Sequence, residues 1–127
     1  MFRDPSKLKV FGLADEVTWE VYKLAASIAP EDRSGLDAQL RRAALAVPLR
    51  VIAGCRRGGD EAFLQGLSSA AEAASEGCYL AGLAQRMGLL TEEAATRIQE
   101  RLHQLVLALY GLRKAASRPR EAEATGE

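Results

Sequence analysis

At 127 residues the chain has room for one domain with a true core, and nothing in its length asks for a second. Its 17 Lys plus Arg balance 17 Asp plus Glu, which excludes a molecule drawn as a whole to nucleic acid or anionic lipid. Any polyanion contact must come from a local patch.

Two cysteines, Cys55 and Cys78, lack metal-ligand spacing, and MFRDPSKLKV at the N-terminus lacks the apolar core of a secretion signal. The longest apolar run, Ala43 to Leu49, is seven residues, far short of the ~20 that a spanning helix needs. A cytoplasmic protein without a membrane partner is expected.

Alanine and leucine dominate and β-branched alternation is nearly absent, so the informative period is the helical one. The first stripe, Leu13, Val17, Val21, Leu24 and Ile28, predicts a helix over about 8–28 that Pro30 ends. A polar link, Glu31 to Gly35, leads to Leu36, Leu40, Ala44, Val47 and Val51, a second helix over about 36–55 closed by Gly54, Gly58 and Gly59. Pro48 lies inside it and predicts a kink, because it removes a helical hydrogen bond.

The third segment, about 60–87, opens with Asp60 and Glu61 at the positive end of its dipole and runs through Phe63, Leu67, Ala70, Ala74, Leu80 and Leu83. It is rich in Gly, Ala and Ser from Gly66 to Gly77, which either permits close backbone approach or reflects simple alanine preference for helix. Gly88 turns the chain, Thr91 is placed as an N-cap, and Ile98, Leu102, Leu105, Leu109 and Leu112 mark a fourth helix over about 91–116. The polar remainder, 117–127, is expected to be disordered. Short links between long helices predict an all-α, up-down antiparallel four-helix bundle over 1–116.

The second helix carries a second pattern. Opposite its core stripe stand Arg41, Arg42, Arg50, Arg56 and Arg57, and among them Leu45, Leu49 and Ile52 form an apolar line at i, i+4 and i+7. Arginine stems covering scattered apolar residues would explain this at an ordinary surface. An interface between subunits, where arginine is enriched around apolar anchors, explains it better. The start of the third helix, with Asp60, Glu61, Glu72 and Glu76 and no Lys or Arg over 60–76, is the charge complement. That pairing could join copies, with Glu72 and Glu76 at the interface, or neutralise neighbouring helices within one chain.

In order, KLKVFGLADEVTWEVYKLA, APEDRSGL, QLRRAA, VPL, Phe63, Glu76 and LAQRMGLL resemble the small bacterial four-helix bundle protein family. That family includes proteins encoded in 23S rRNA intervening sequences and the accessory variability proteins of diversity-generating retroelements. The resemblance covers about residues 7–115 and is most specific at Pro30-Glu31, Gly35-Leu36 and Gln39-Leu40-Arg41-Arg42-Ala43-Ala44. It implies a ring-shaped homo-oligomer, typically a pentamer, with no established catalysis. For the retroelement branch it also implies binding to RNA or DNA and to a reverse transcriptase. Where the family usually reads Asn-Ile-Ala-Glu-Gly after the proline, this chain has Arg50-Val51-Ile52-Ala53-Gly54, moving the local charge toward positive.

Reactive constellations are thin. His103 is the only histidine, so the Glu100-x-x-His103 spacing lacks the second pair that a di-metal bundle requires. A symmetric ring could gather one His103 per copy, although histidine ligands normally come in clusters. Cys55 beside Arg56 and Arg57 is either a lowered-pKa thiol without a neighbouring base or an inert cysteine at a helix end. Gly58-Gly59 lacks the Lys and Ser or Thr of a phosphate loop.

No catalytic residue, metal or cofactor is expected, and the protein is read as a non-enzymatic scaffold or adaptor. Its nucleic-acid contacts are expected at Arg41, Arg42, Arg50, Arg56, Arg57, Arg113 and Lys114, and its subunit contacts at Leu45, Leu49, Ile52, Glu72 and Glu76. The alternative is a homo-oligomeric interaction module with no nucleic-acid role.

Overall fold

The computed structural model describes residues 3–124, and side-chain surroundings over 3–118. Four helices pack antiparallel as a bundle: α1 Lys9–Ala26, α2 Leu36–Arg57, α3 Asp60–Arg86 and α4 Glu92–Ala124. Short 3-10 turns at Pro5–Lys7 and Pro30–Asp32 precede α1 and α2. Consecutive helices are neighbours, α1 closes the bundle against α4, and α2 and α4 lie diagonally apart without touching among the described residues. None of the described helices is long and apolar enough to cross a membrane.

The links follow from local chemistry. Gly58 and Gly59 turn α2 into α3 with φ of 77° and 84°, values that only glycine adopts at little cost. Thr91 caps α4, its hydroxyl oxygen accepting from the Ala94 amide at 3.1 Å, with Glu92 and Glu93 in the first turn. α4 runs past residue 116, the end expected from its apolar stripe. Residues 117–124, expected as disordered tail, continue the helix, with Pro119 among them. Residues 125–127 lie outside the described residues.

The core is built from Val10, Ala14, Val17, Val21 and Ala25 on α1, Leu40, Ala44, Val47 and Val51 on α2, Phe63, Leu67, Ala70 and Ala74 on α3, and Ile98, Leu102, Leu105 and Leu109 on α4. On α1 the buried line is one of small residues, and Leu13 and Leu24 are half-buried at its edges. Alanine at the centre lets α1 sit closer than leucine would.

α2 continues as helix through Pro48, whose side chain is buried. The proline removes the amide that would serve the Ala44 carbonyl. Thr18 of α1 stands in part-way: its single hydroxyl proton is shared between its own Ala14 carbonyl at 2.7 Å and the Ala44 carbonyl across the helix pair at 3.2 Å. The defect in one helix thereby becomes a contact between two.

Where α2 crosses α3, Gly54 meets Gly66. A Cβ added at Gly66 would lie 2.8 Å from Gly54 Cα and 2.9 Å from the Arg50 carbonyl oxygen. Of the two readings of the small-residue stretch, close backbone approach is the one found here.

Candidate functional site

The outer surface of α2 is the most distinctive part of the molecule, and its residues divide by the neighbour they face. Leu45 and Leu49 are 37% and 52% exposed, and Ile52 is half-buried. Beside Leu45, α1 contributes Trp19 and Tyr22, exposed by 67% and 38%, which line a shallow hollow with it. The pair was missed in sequence reasoning, which followed only the core line of α1. Its signal was present: Asp15, Trp19 and Tyr22 share a face at i, i+4 and i+7.

The arginines do not form one patch. Arg41 is half-buried, donates to the buried Asp37 carboxylate at 3.0 Å and stands 6.0 Å above the Tyr22 ring. It is a clasp between α1 and α2, and its availability to a polyanion is reduced accordingly. Burial alone would raise Asp37, but the Arg41 hydrogen bond and the amides of the first turn of α2 outweigh it and hold the carboxyl below its usual range.

Arg42 and Arg50 face α3 across a groove of about 240 Å³, with Glu72 and Glu76 on the opposite wall and Ala43 and Ala46 between. Arg50 donates to Ser69 Oγ at 3.0 Å. Arg42, Arg50, Glu72 and Glu76 form no ion pair with one another among the described residues. Mutual neutralisation through direct contact within the chain, one of the two readings, is thus not what these four side chains do.

Arg56 and Arg57 are exposed on the last turn of α2. The antiparallel order brings them to the same end of the bundle as Arg113 and Lys114 of α4. Arg113 is half-buried, and its Nε has no partner among the described residues; Lys114 is exposed.

Cys55 is not an activated thiol. The chain N-terminal to α1 straps over it: the Arg3 amide donates to the Cys55 carbonyl at 3.3 Å, and the Arg3 guanidinium pairs with Asp60 at 2.8 Å and stacks 4.0 Å from the Phe63 ring. Burial pushes the thiol up despite the positive charges of Arg3 and Arg56. Cys78 is likewise raised by burial, its thiol directed at the Gln99 carbonyl. His103 and Glu100 are both exposed on α4, and no metal-holding group of His, Cys, Asp or Glu occurs among the described residues.

The geometry therefore offers an apolar strip flanked by cations and one basic end, on a bundle of four helices. Among curated proteins nothing matches the chain. A family model does, over residues 6–111, and the family comprises small helical proteins not known as enzymes. With that match spanning all four helices, the chain belongs to the 23S rRNA-intervening sequence protein family.

Proposed function

We propose that the protein is a non-enzymatic, self-assembling adaptor. Its copies join through the outer face of α2 into a ring, a pentamer by the resemblance described above. Its basic end, Arg56 and Arg57 with Arg113 and Lys114, engages RNA or a nucleic-acid enzyme such as a reverse transcriptase. The observation that carries this reading is the exposure of Leu45 and Leu49 beside Trp19 and Tyr22, a contiguous apolar strip of the kind that marks interaction sites. Arginine around apolar anchors is the composition of a protein interface, and phosphate contacts need cations without a base-reading motif.

Light scattering on the Leu45→Asp, Leu49→Asp double variant tests the assembly. The particle mass is expected to fall to that of one chain, and an unchanged mass would return these residues to ordinary surface. Binding to a structured RNA tests the basic end: affinity should fall on the order of 10- to 100-fold between about 50 and 200 mM salt. The Arg56→Glu, Arg57→Glu variant should lose most of it.

A second reading, self-assembly with no nucleic-acid role, is favoured by the zero net charge and by Glu72 and Glu76 facing the Arg42–Arg50 stretch. RNA binding that is equal in parent and charge-reversed protein would select it.

A further inference from the structure

The α2 face needs a counterpart, and another α2 face is a poor one. Two copies laid α2 against α2, in antiparallel fashion, would bring Arg42 of each against Arg56 of the other. A heterologous contact, in which one face meets a different face of the next copy, can replace one of those two like-charge pairs with an opposite-charge one.

The bundle carries another exposed stripe with matching form among the described residues. On α2, Arg42, Leu45, Leu49, Ile52 and Arg56 repeat at alternating steps of three and four, the spacing of a two-helix seam. On α4, Glu100, His103, Leu107, Tyr110 and Lys114 repeat at the same steps. All five are exposed, Leu107 by 61% and Tyr110 by 48%, although neither apolar side chain belongs to the core line of α4.

The two stripes also stand at the same height. Gly54 touches Gly66 and Arg50 reaches Ser69 across the α2–α3 seam, while Gly77 meets Leu102 and Cys78 bonds with Gln99 across α3–α4. Stepping across α3 by these contacts, each α2 residue is level with the α4 residue about 58 positions later. That is the offset between the stripes. α2 and α4 also run in the same direction, so a second copy turned only about an axis parallel to the helices, as a ring requires, sets its α4 parallel to the first copy's α2 with no axial slide.

We infer that the outer stripe of α2 packs against the outer stripe of α4 of the next copy. Arg42 then opposes Glu100, Leu49 opposes Leu107 and Ile52 opposes Tyr110, an apolar centre with a charge pair fixing the register. Neither Arg42 nor Glu100 has an ion-pair partner within its own chain among the described residues. At the far end Arg56 meets Lys114, so cations from two copies gather at the basic end. This inference rests on the proposed self-assembly and names the surface that completes it.

Oxidative cross-linking of Leu49→Cys mixed with Leu107→Cys tests it, since both positions are exposed and the change leaves the core intact. The mixture should give a covalent dimer on a denaturing gel while neither variant alone does. A homodimer from Leu49→Cys or Leu107→Cys alone, or no cross-link in the mixture while the parent assembles, overturns the seam and leaves self-assembly standing. In parallel, Arg42→Glu should dissociate the parent particle and Arg42→Glu with Glu100→Arg should restore its mass; failure to restore also counts against the seam. A parent that sediments as one chain removes both this inference and the assembly beneath it.

Discussion

Where α2 crosses α3, two glycines let the backbones touch, and the seam is defined by what is missing from the side chains. Where α1 lies against α2 and α4, polar side chains make much of the join: Thr18 to Ala44, Arg41 between Asp37 and Tyr22, and Arg101 to Glu16 and Glu20 at 3.1 and 3.2 Å. The first kind of contact is intolerant of added atoms but indifferent to pH and salt. The second accepts substitution more readily and depends on charge and hydrogen bonding. The two therefore respond to different perturbations, which allows them to be separated.

The largest effect is expected at the glycine seam. Gly66→Leu forces atoms into the Gly54 and Arg50 backbones, which cannot give way as a flexible side chain would. A loss of about 3 kcal/mol, at the upper end of the overpacking range, should appear in urea or thermal unfolding. A small loss would mean that α2 and α3 can slide apart there.

A middle-sized effect belongs to Thr18. Thr18→Val keeps the shape and removes the hydroxyl, at a cost of about 1 kcal/mol. In a Pro48→Ala background the helix amide can serve the Ala44 carbonyl itself, so the same change should cost less. Equal costs in the two backgrounds would show that Thr18 does not compensate for the proline.

The smallest effect is at Asp37. Its folded pKa is held below the ordinary 3.8, so its contribution is fully present above that value and is lost as pH falls through the depressed one. Asp37→Asn should flatten this acid limb of a stability profile, and a profile of unchanged shape would remove Asp37 from the clasp.

Much of the fold was legible because the apolar stripes of α2, α3 and α4 are periodic and the links carry Gly or Thr where the turns require them. The lines of α1 and of the end of α3 lie one residue from where the sequence puts them: Leu13, Leu24, Leu80 and Leu83 are larger than the buried Ala14, Ala25, Ala81 and Ala84, and size in the sequence does not report which face sits closest. That α2 continues through Pro48 was legible, but how it accommodates the proline could not be read locally, since the compensating hydroxyl comes from another helix. Arg41 resembled its neighbour Arg42 in sequence, and only the packing of α1 separates a half-buried clasp from an exposed cation. Leu45 and Leu49 were legible as a second line on α2, and Trp19 and Tyr22 carry a comparable spacing signal on α1, whereas Leu107 and Tyr110 emerge only once the core faces are known.

The shared direction of α2 and α4 gives any row of copies built on that seam a head and a tail. All the Gly58–Gly59 turns, with Arg56 and Arg57, would lie on one rim, and all the Gly88 turns on the other. Such a particle is asymmetric along its axis, so any ligand of the basic end, RNA under the proposed function, would load from a single side and find one landing surface, never two.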